Sequence, residues 1–123
     1  MLLMETIYTD LYKYDIVDSA VDSAEEFGTA WCGRSKSWFA VQKIMGGDLS
    51  VATAITLLNY TKVRRTLRIL KRKQLGAILD DEINLLTAII ERLDDYLLQA
   101  HNIVEVAETD AMVRVAQYEL AQL

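Results

Sequence analysis

Apolar residues recur along this chain at steps of three and four, and nowhere do they alternate with polar ones over more than a few positions. That spacing predicts helices throughout and an all-α fold. The most informative stretch is Ser23 to Lys43, SAEEFGTAWCGRSKSWFAVQK, where two short helical patterns meet across a turn. Phe27 and Trp31 lie at i and i+4 on one face, and Trp38 and Val41 at i and i+3 on the next, so each helix has an apolar ridge for the other. Gly28 is small where the two would cross. Ser23 with Glu26 three residues later reads as a capping box, which marks the first helix's start.

Around this pair the rest follows in order. Residues 1–8, with Leu2, Leu3, Met4, Ile7 and Tyr8, are too short to form an element and are expected to dock as an arm on the core or on a partner subunit. Thr9 to Ala20 fits an amphipathic helix, with Leu11, Tyr14, Ile16, Val17 and Val21 inside and Asp10, Asp15, Asp18 and Asp22 outside. The second motif helix is expected from Ser35 to Ile44 and ends at Gly46-Gly47. Ser50 then caps a long helix through Val51, Ala54, Ile55, Leu58, Val63, Leu67 and Leu70 to about Lys73, with Asn59 to Thr61 the place for any bend. Gly76 is a hinge. Beyond it Leu79, Ile83, Leu86, Ile90, Leu93 and Leu97 form a heptad seam, widened by Leu85, Ile89, Tyr96 and Leu98. A weaker helix, about Glu105 to Leu120, completes a hairpin through Val106, Val113, Ala116 and Leu120. The seam is wide enough to pack in its own chain and also across a dimer. Residues 1–75 therefore form a helix-turn-helix region with a basic helix, and 76–123 a helical hairpin for dimerisation, within one domain overall.

Composition supports the helical reading: the chain contains no proline, and 52% of its 123 residues are hydrophobic. No apolar run approaches the roughly 20 residues needed to cross a bilayer. The start, Met-Leu-Leu-Met-Glu-Thr, lacks the basic flank and apolar length of a secretory signal, so a cytoplasmic protein without membrane partners is expected. The one cysteine, Cys32, is too few for an internal disulfide or a cysteine zinc site and is expected to be a buried or half-buried turn residue.

The net charge of −5 conceals a strong segregation. Between Trp31 and Leu75 lie ten of the thirteen basic residues and one acid, Asp48, whereas residues 1–30 carry one base against seven acids and residues 76–123 two against ten. A basic centre between acidic flanks is a footprint for a polyanion. The plainer alternative is that the basic and acidic helices pair with each other.

The run Gly33-Arg34-Ser35-Lys36-Ser37-Trp38, with the ridges on either side of it, resembles the Cro and phage-repressor class of helix-turn-helix proteins. It is most similar to small single-unit proteins of alphaproteobacteria with a Gly-Arg-Ser-x-Ser-aromatic run. The likeness covers roughly Asp10 to Thr61. It departs at one point: the turn glycine of that class usually falls where Cys32 stands, so either the turn is one residue longer or Cys32 replaces the glycine. The resemblance implies a DNA-binding unit whose second helix enters the major groove. In that register the base-facing positions are Arg34, Ser35, Lys36, Phe39, Ala40 and Lys43. Arginine and lysine can donate to guanine, and Phe39 and Ala40 can touch a thymine methyl. A shift of one residue would instead bury Phe39 and bring Gln42 outward to read adenine. Ser35 and Ser37 suit helix caps, and a capped N-terminus also suits a phosphate, so Ser37 is a phosphate candidate. So are Arg64, Arg65, Arg68, Lys71 and Arg72 of the run KVRRTLRILKRK, four of which share a helical face.

Catalytic chemistry has no foothold. The one histidine, His101, falls in an expected loop between Gln99 and Asn102, and no nucleophile–base pair stands out. Asp80-Asp81-Glu82 and Asp94-Asp95 point to different sides of a helix, and the first trio sits at a helix N-terminus, where acids favour the dipole. There is no Glu-x-x-His spacing and no phosphate-binding glycine loop. The sequence predicts no enzyme and no cofactor. It predicts a dimeric, repressor-like transcriptional regulator on double-stranded DNA, with a palindromic operator. The alternative is a protein-interaction module, an antiactivator or inhibitor, that keeps the helix-turn-helix shape and binds a protein partner.

Overall fold

Met4, Ile7 and Leu11 stand at i, i+3 and i+7, and all three are fully buried, which is what fixes the first helix, α1 (Leu3–Lys13). The computed structural model describes residues 2–14, 16 and 23–101, the last by its backbone alone. After α1 come α2 (Ser23–Glu26), which runs on as a wider π-helical turn over Phe27–Trp31, then α3 (Trp38–Met45) and α4 (Val51–Leu75). A 3-10 turn over Gly76–Leu79 leads into α5 (Asp80–His101). The fold is all-α, and the described residues contain no strand. No described helix is long and apolar enough to cross a membrane.

The first helix corrects the expectation of an arm over 1–8 followed by a helix over Thr9 to Ala20. α1 starts at Leu3 and ends at Lys13, so Met4, Ile7 and Tyr8 are helical, while Tyr14 is exposed just beyond the helix. The reason lies far away in sequence. The Asp48 carboxylate accepts hydrogen bonds from the backbone N–H of Leu3 at 2.9 Å and of Met4 at 3.2 Å, and also from Leu49 N–H at 2.9 Å. A helix N-terminus leaves such donors without partners, and a carboxylate there also meets the positive end of the dipole. Asp15, Val17, Asp18, Val21, Asp22 and the expected helix over Glu105 to Leu120 lie outside the described residues, as does the His101 side chain.

The chain divides into two compact units, Met1–Leu57 and Leu58–Leu123. Gly76, where the sequence places a hinge, lies inside the second unit, and there the chain turns from α4 to α5 with a left-handed backbone, φ 72°. α4 itself is continuous from Val51 to Leu75. Its start is capped as the sequence indicates: Ser50 Oγ accepts from Thr53 N–H at 3.2 Å, and Ser50 carbonyl from Ala54 N–H at 2.8 Å. In the first unit the interior is built by Met4, Ile7, Leu11, Phe27, Trp31, Phe39, Leu49, Ala54 and Leu57. In the second it is built by Leu58, Val63, Leu67, Leu86, Ile89, Ile90, Leu93 and Leu97.

Removing the Asp48 carboxylate leaves the first donors of α1 without their acceptor. Asp48→Ala is expected to lower stability by about 1–2 kcal/mol in urea denaturation, and Asp48→Asn by less, because the amide oxygen still accepts. Equal stability of all three proteins would contradict this role.

Candidate functional site

The two short helices of the first unit pass each other at Gly28. A Cβ at that position would stand 3.1 Å from the Ser35 carbonyl oxygen, 3.8 Å from Trp38 Cε3 and 3.9 Å from the Phe39 nitrogen, so only glycine admits this approach without displacement. Phe27 and Trp31 flank it and are buried at one turn's spacing, as the ridge pattern requires. The helix then stops at Gly33, whose φ of 67° is in the left-handed region that favours glycine. Gly33 N–H bonds Thr29 carbonyl at 3.1 Å, and Arg34 N–H reaches back to Gly28 carbonyl at 2.8 Å. The glycine requirement therefore falls on Gly33, and the turn between Trp31 and Trp38 is six residues long. Cys32, the residue before Gly33, keeps an ordinary right-handed backbone, φ −101°.

α3 corrects the register. It begins at Trp38 rather than at Ser35, so Arg34, Ser35 and Lys36 lie in the turn, all exposed. Phe39, expected to face a base, is 2% exposed. Its ring lies 4.6 Å from that of Tyr8 and 5.2 Å, edge-on, from that of Phe27. Three elements thus converge on one aromatic cluster, and Phe39 is unavailable to any ligand. Trp38 is half-buried, and Val41, expected to face inward, is 50% exposed. Gln42 does not turn outward either: its amide Nε2 donates to the Asp48 carbonyl at 3.3 Å and lies against Gly47. With Phe39 inward, the opposite face carries Ser37, Ala40, Val41 and Ile44 at i, i+3, i+4 and i+7, all exposed. Lys43 is exposed on the other side of the helix, with its Nζ 5.3 Å from the Phe39 ring centre. Ser37 occupies the N-cap of α3, and its hydroxyl makes no capping bond to the helix. From Phe27 to Gly47 the chain carries three bases, Arg34, Lys36 and Lys43, and no acid.

The basic stripe of α4 is partly spent within the chain. Arg68 Nε pairs with Glu82 Oε1 at 2.7 Å, and Arg72 makes a two-pronged contact with Asp80, Nε to Oδ1 at 2.5 Å and Nη2 to Oδ2 at 3.2 Å. The hydrogen bond from Arg72 holds the Asp80 carboxyl below its usual range. These pairs tie the end of α4 to the start of α5. The plainer reading of the charge pattern therefore accounts for two of the five basic phosphate candidates on α4. Arg64, Arg65 and Lys71 are half-buried.

The α5 seam, expected to pack in its own chain and also across a dimer, is buried within the chain over most of its length. Leu86, Leu93 and Leu97 are at most 1% exposed, Ile90 is 6% and Leu79 is 9%, so this chain already covers them; Ile83 is half-buried. A helix in a folded monomer hides its most apolar stripe first, and here little of the seam is left for a second copy.

Sequence spacing missed Tyr8, Ser23 and Asp48 as the residues that seat α1 on the helix pair. The Tyr8 and Ser23 hydroxyls share a hydrogen bond of 2.6 Å, a role for Ser23 that the capping pattern does not show. Spacing also missed Ile44 and Val41 as outward residues. The i, i+3, i+4, i+7 series from Ser37 finds both once Phe39 is turned inward.

Cys32 sits in the turn at 1% exposure, and burial pushes its thiol from the ordinary 9.0 up to about 12. Below the ordinary value both folded and unfolded chains keep this proton, so its contribution to stability is fully present there. As pH rises toward the folded value, the unfolded chain releases the proton first and that contribution is lost. Urea midpoints measured at about pH 8 and about pH 10.5 should therefore fall further for the native protein than for Cys32→Ala. An equal fall would mean that the thiol titrates freely.

Comparison with curated proteins and with solved structures gives no significant match. A family model does match, over residues 4–112, which takes in α1, the helix pair, α4 and α5. The chain with this glycine-gated helix pair and ion-paired α4–α5 turn belongs to the family of unknown function DUF6626.

Proposed function

We propose that this protein is a sequence-specific DNA-binding regulator of repressor type, acting in the cytoplasm as a homodimer on a palindromic operator. The observation that carries the reading is the acid-free surface of the turn and α3, with Arg34, Ser35, Lys36, Ser37 and Lys43 around it, held on a helix pair that meets at Gly28. We read this pair as a helix-turn-helix with a turn longer than the usual three or four residues. α3 would enter the major groove, and Arg34 and Lys36 in the turn would reach guanine edges or phosphates beside it. Ser37, at the head of α3, suits a phosphate. One eight-residue helix reads only a few base pairs, so two copies on half-sites about 10 base pairs apart would supply the remaining specificity. The two copies would meet through a surface other than the covered seam of α5. Among the α4 candidates Lys71 is the better phosphate contact, since Arg68 and Arg72 already hold carboxylates.

A second reading is a protein-interaction module, an antiactivator or inhibitor. The two arginine–carboxylate pairs favour it, because they lower the positive charge on α4, and so does the exposure of Ile44 at 85% and Met45 at 76%.

Binding to random-sequence duplex DNA across a salt series, followed by selection of the bound fraction, separates the two. The regulator should bind with strong salt dependence and enrich a two-fold symmetric sequence. On that sequence Arg34→Ala should cost about 1–3 kcal/mol and relax discrimination, whereas Lys71→Ala should weaken every sequence alike and lower the salt slope by about one. Absence of binding at low salt would reject the regulator, and equal losses on all sequences in both variants would reject this division of roles.

A further inference from the structure

The face that α3 turns outward is aliphatic. Ser37, Ala40, Val41 and Ile44 share it directly opposite Phe39, with Val41 at 50% exposure and Ile44 at 85%. No amide, carboxylate or guanidinium side chain lies in that stripe. Two exposed cations, Arg34 and Lys36, stand in the turn just before the helix, whereas the Lys43 ammonium lies 5.3 Å from the Phe39 ring centre, on the side away from the stripe.

Resting on the DNA-binding reading above, we infer that this stripe recognises thymine C5-methyl groups in the major groove, so that the centre of each half-site is thymine-rich. Among the groups that base pairs present in that groove, the thymine methyl is the one an aliphatic side chain can bury with gain. Guanine, adenine and cytosine edges covered by Val41 and Ile44 would lose water without finding a donor or acceptor, which costs more than the apolar contact returns. Charge complementarity selects the occupant. An apolar stripe of three side chains preceded by Arg34 and Lys36, with no acid from Phe27 to Gly47, matches a methyl-lined groove beside a phosphate backbone. Guanine preference then belongs at the edge of the half-site, under Arg34 and Lys36.

The test uses the full chain and the duplex it enriches from a random-sequence library at low salt. That duplex is synthesised again with deoxyuridine for thymidine, which removes only the methyl groups and keeps every hydrogen-bonding edge. Fluorescence anisotropy should show about fourfold weaker binding for each contacted methyl removed, the value of one buried carbon. Ile44→Ala removes a side chain that folding does not use. It should bind the thymidine duplex more weakly and show less difference between the two duplexes. Equal affinity of the native protein for both duplexes, or enrichment of half-sites without thymine at their centre, would overturn the methyl inference and leave the DNA-binding reading standing. If no duplex is retained at all, both fall, and the aliphatic stripe belongs to a protein partner.

Discussion

The register of α3 rests on one ring. Phe39 closes on Tyr8 from α1 and on Phe27 from the preceding helix, at 4.6 and 5.2 Å, and that pairing decides which residues of α3 meet solvent. A buried phenylalanine contributes about 1.5–3 kcal/mol from area alone, and edge-on aromatic neighbours add to it. Trp38, one residue earlier, lies half-buried beside Gly28 instead, with its Cε3 3.8 Å from where a Cβ at that glycine would stand. With the Phe39 ring in place the outward stripe of Ser37, Ala40, Val41 and Ile44 follows from helical geometry. The chemistry that this surface can offer a ligand depends on that one choice.

Asp48 is the second constraint. It is the lone acid between Trp31 and Leu75, and its carboxylate is used on the backbone of α1 and on Leu49. Neighbouring side chains and backbone join it: Gln42 from α3 donates to its carbonyl, and Ser50 two residues later caps α4. One short loop thereby anchors the start of α1, the end of α3 and the start of α4. An acid in an otherwise basic stretch is explained by this structural duty, and it leaves the surface of the turn and α3 positively charged.

Helix content, the Ser50 cap, the crossing at Gly28 and the turn at Gly76 are legible in the sequence, because each is set by residues within a turn or two of one another. The start of α1 is not, since its cap comes from 45 positions away. Nor is the register of α3: Trp38, Phe39 and Val41 are all apolar, and two inward choices one residue apart satisfy the same spacing. What separates them is the ring partner on α1, which no local pattern shows. The pairing of Arg68 with Glu82 and Arg72 with Asp80 is visible only as one of two readings of the charge pattern, because opposite charges on separate helices state nothing about which will meet. The seam of α5 is plainly apolar in the sequence, but apolarity does not say whether the cover comes from the same chain or from another.

The central claim is that the turn and α3 form the surface that meets DNA. Backbone amide shifts followed by NMR during titration with a short duplex at low salt test it most directly. The largest changes should fall between Arg34 and Ile44, with the buried Phe39 ring keeping its contacts to Tyr8 and Phe27. Changes confined to α4 and α5, or none at all, would contradict it.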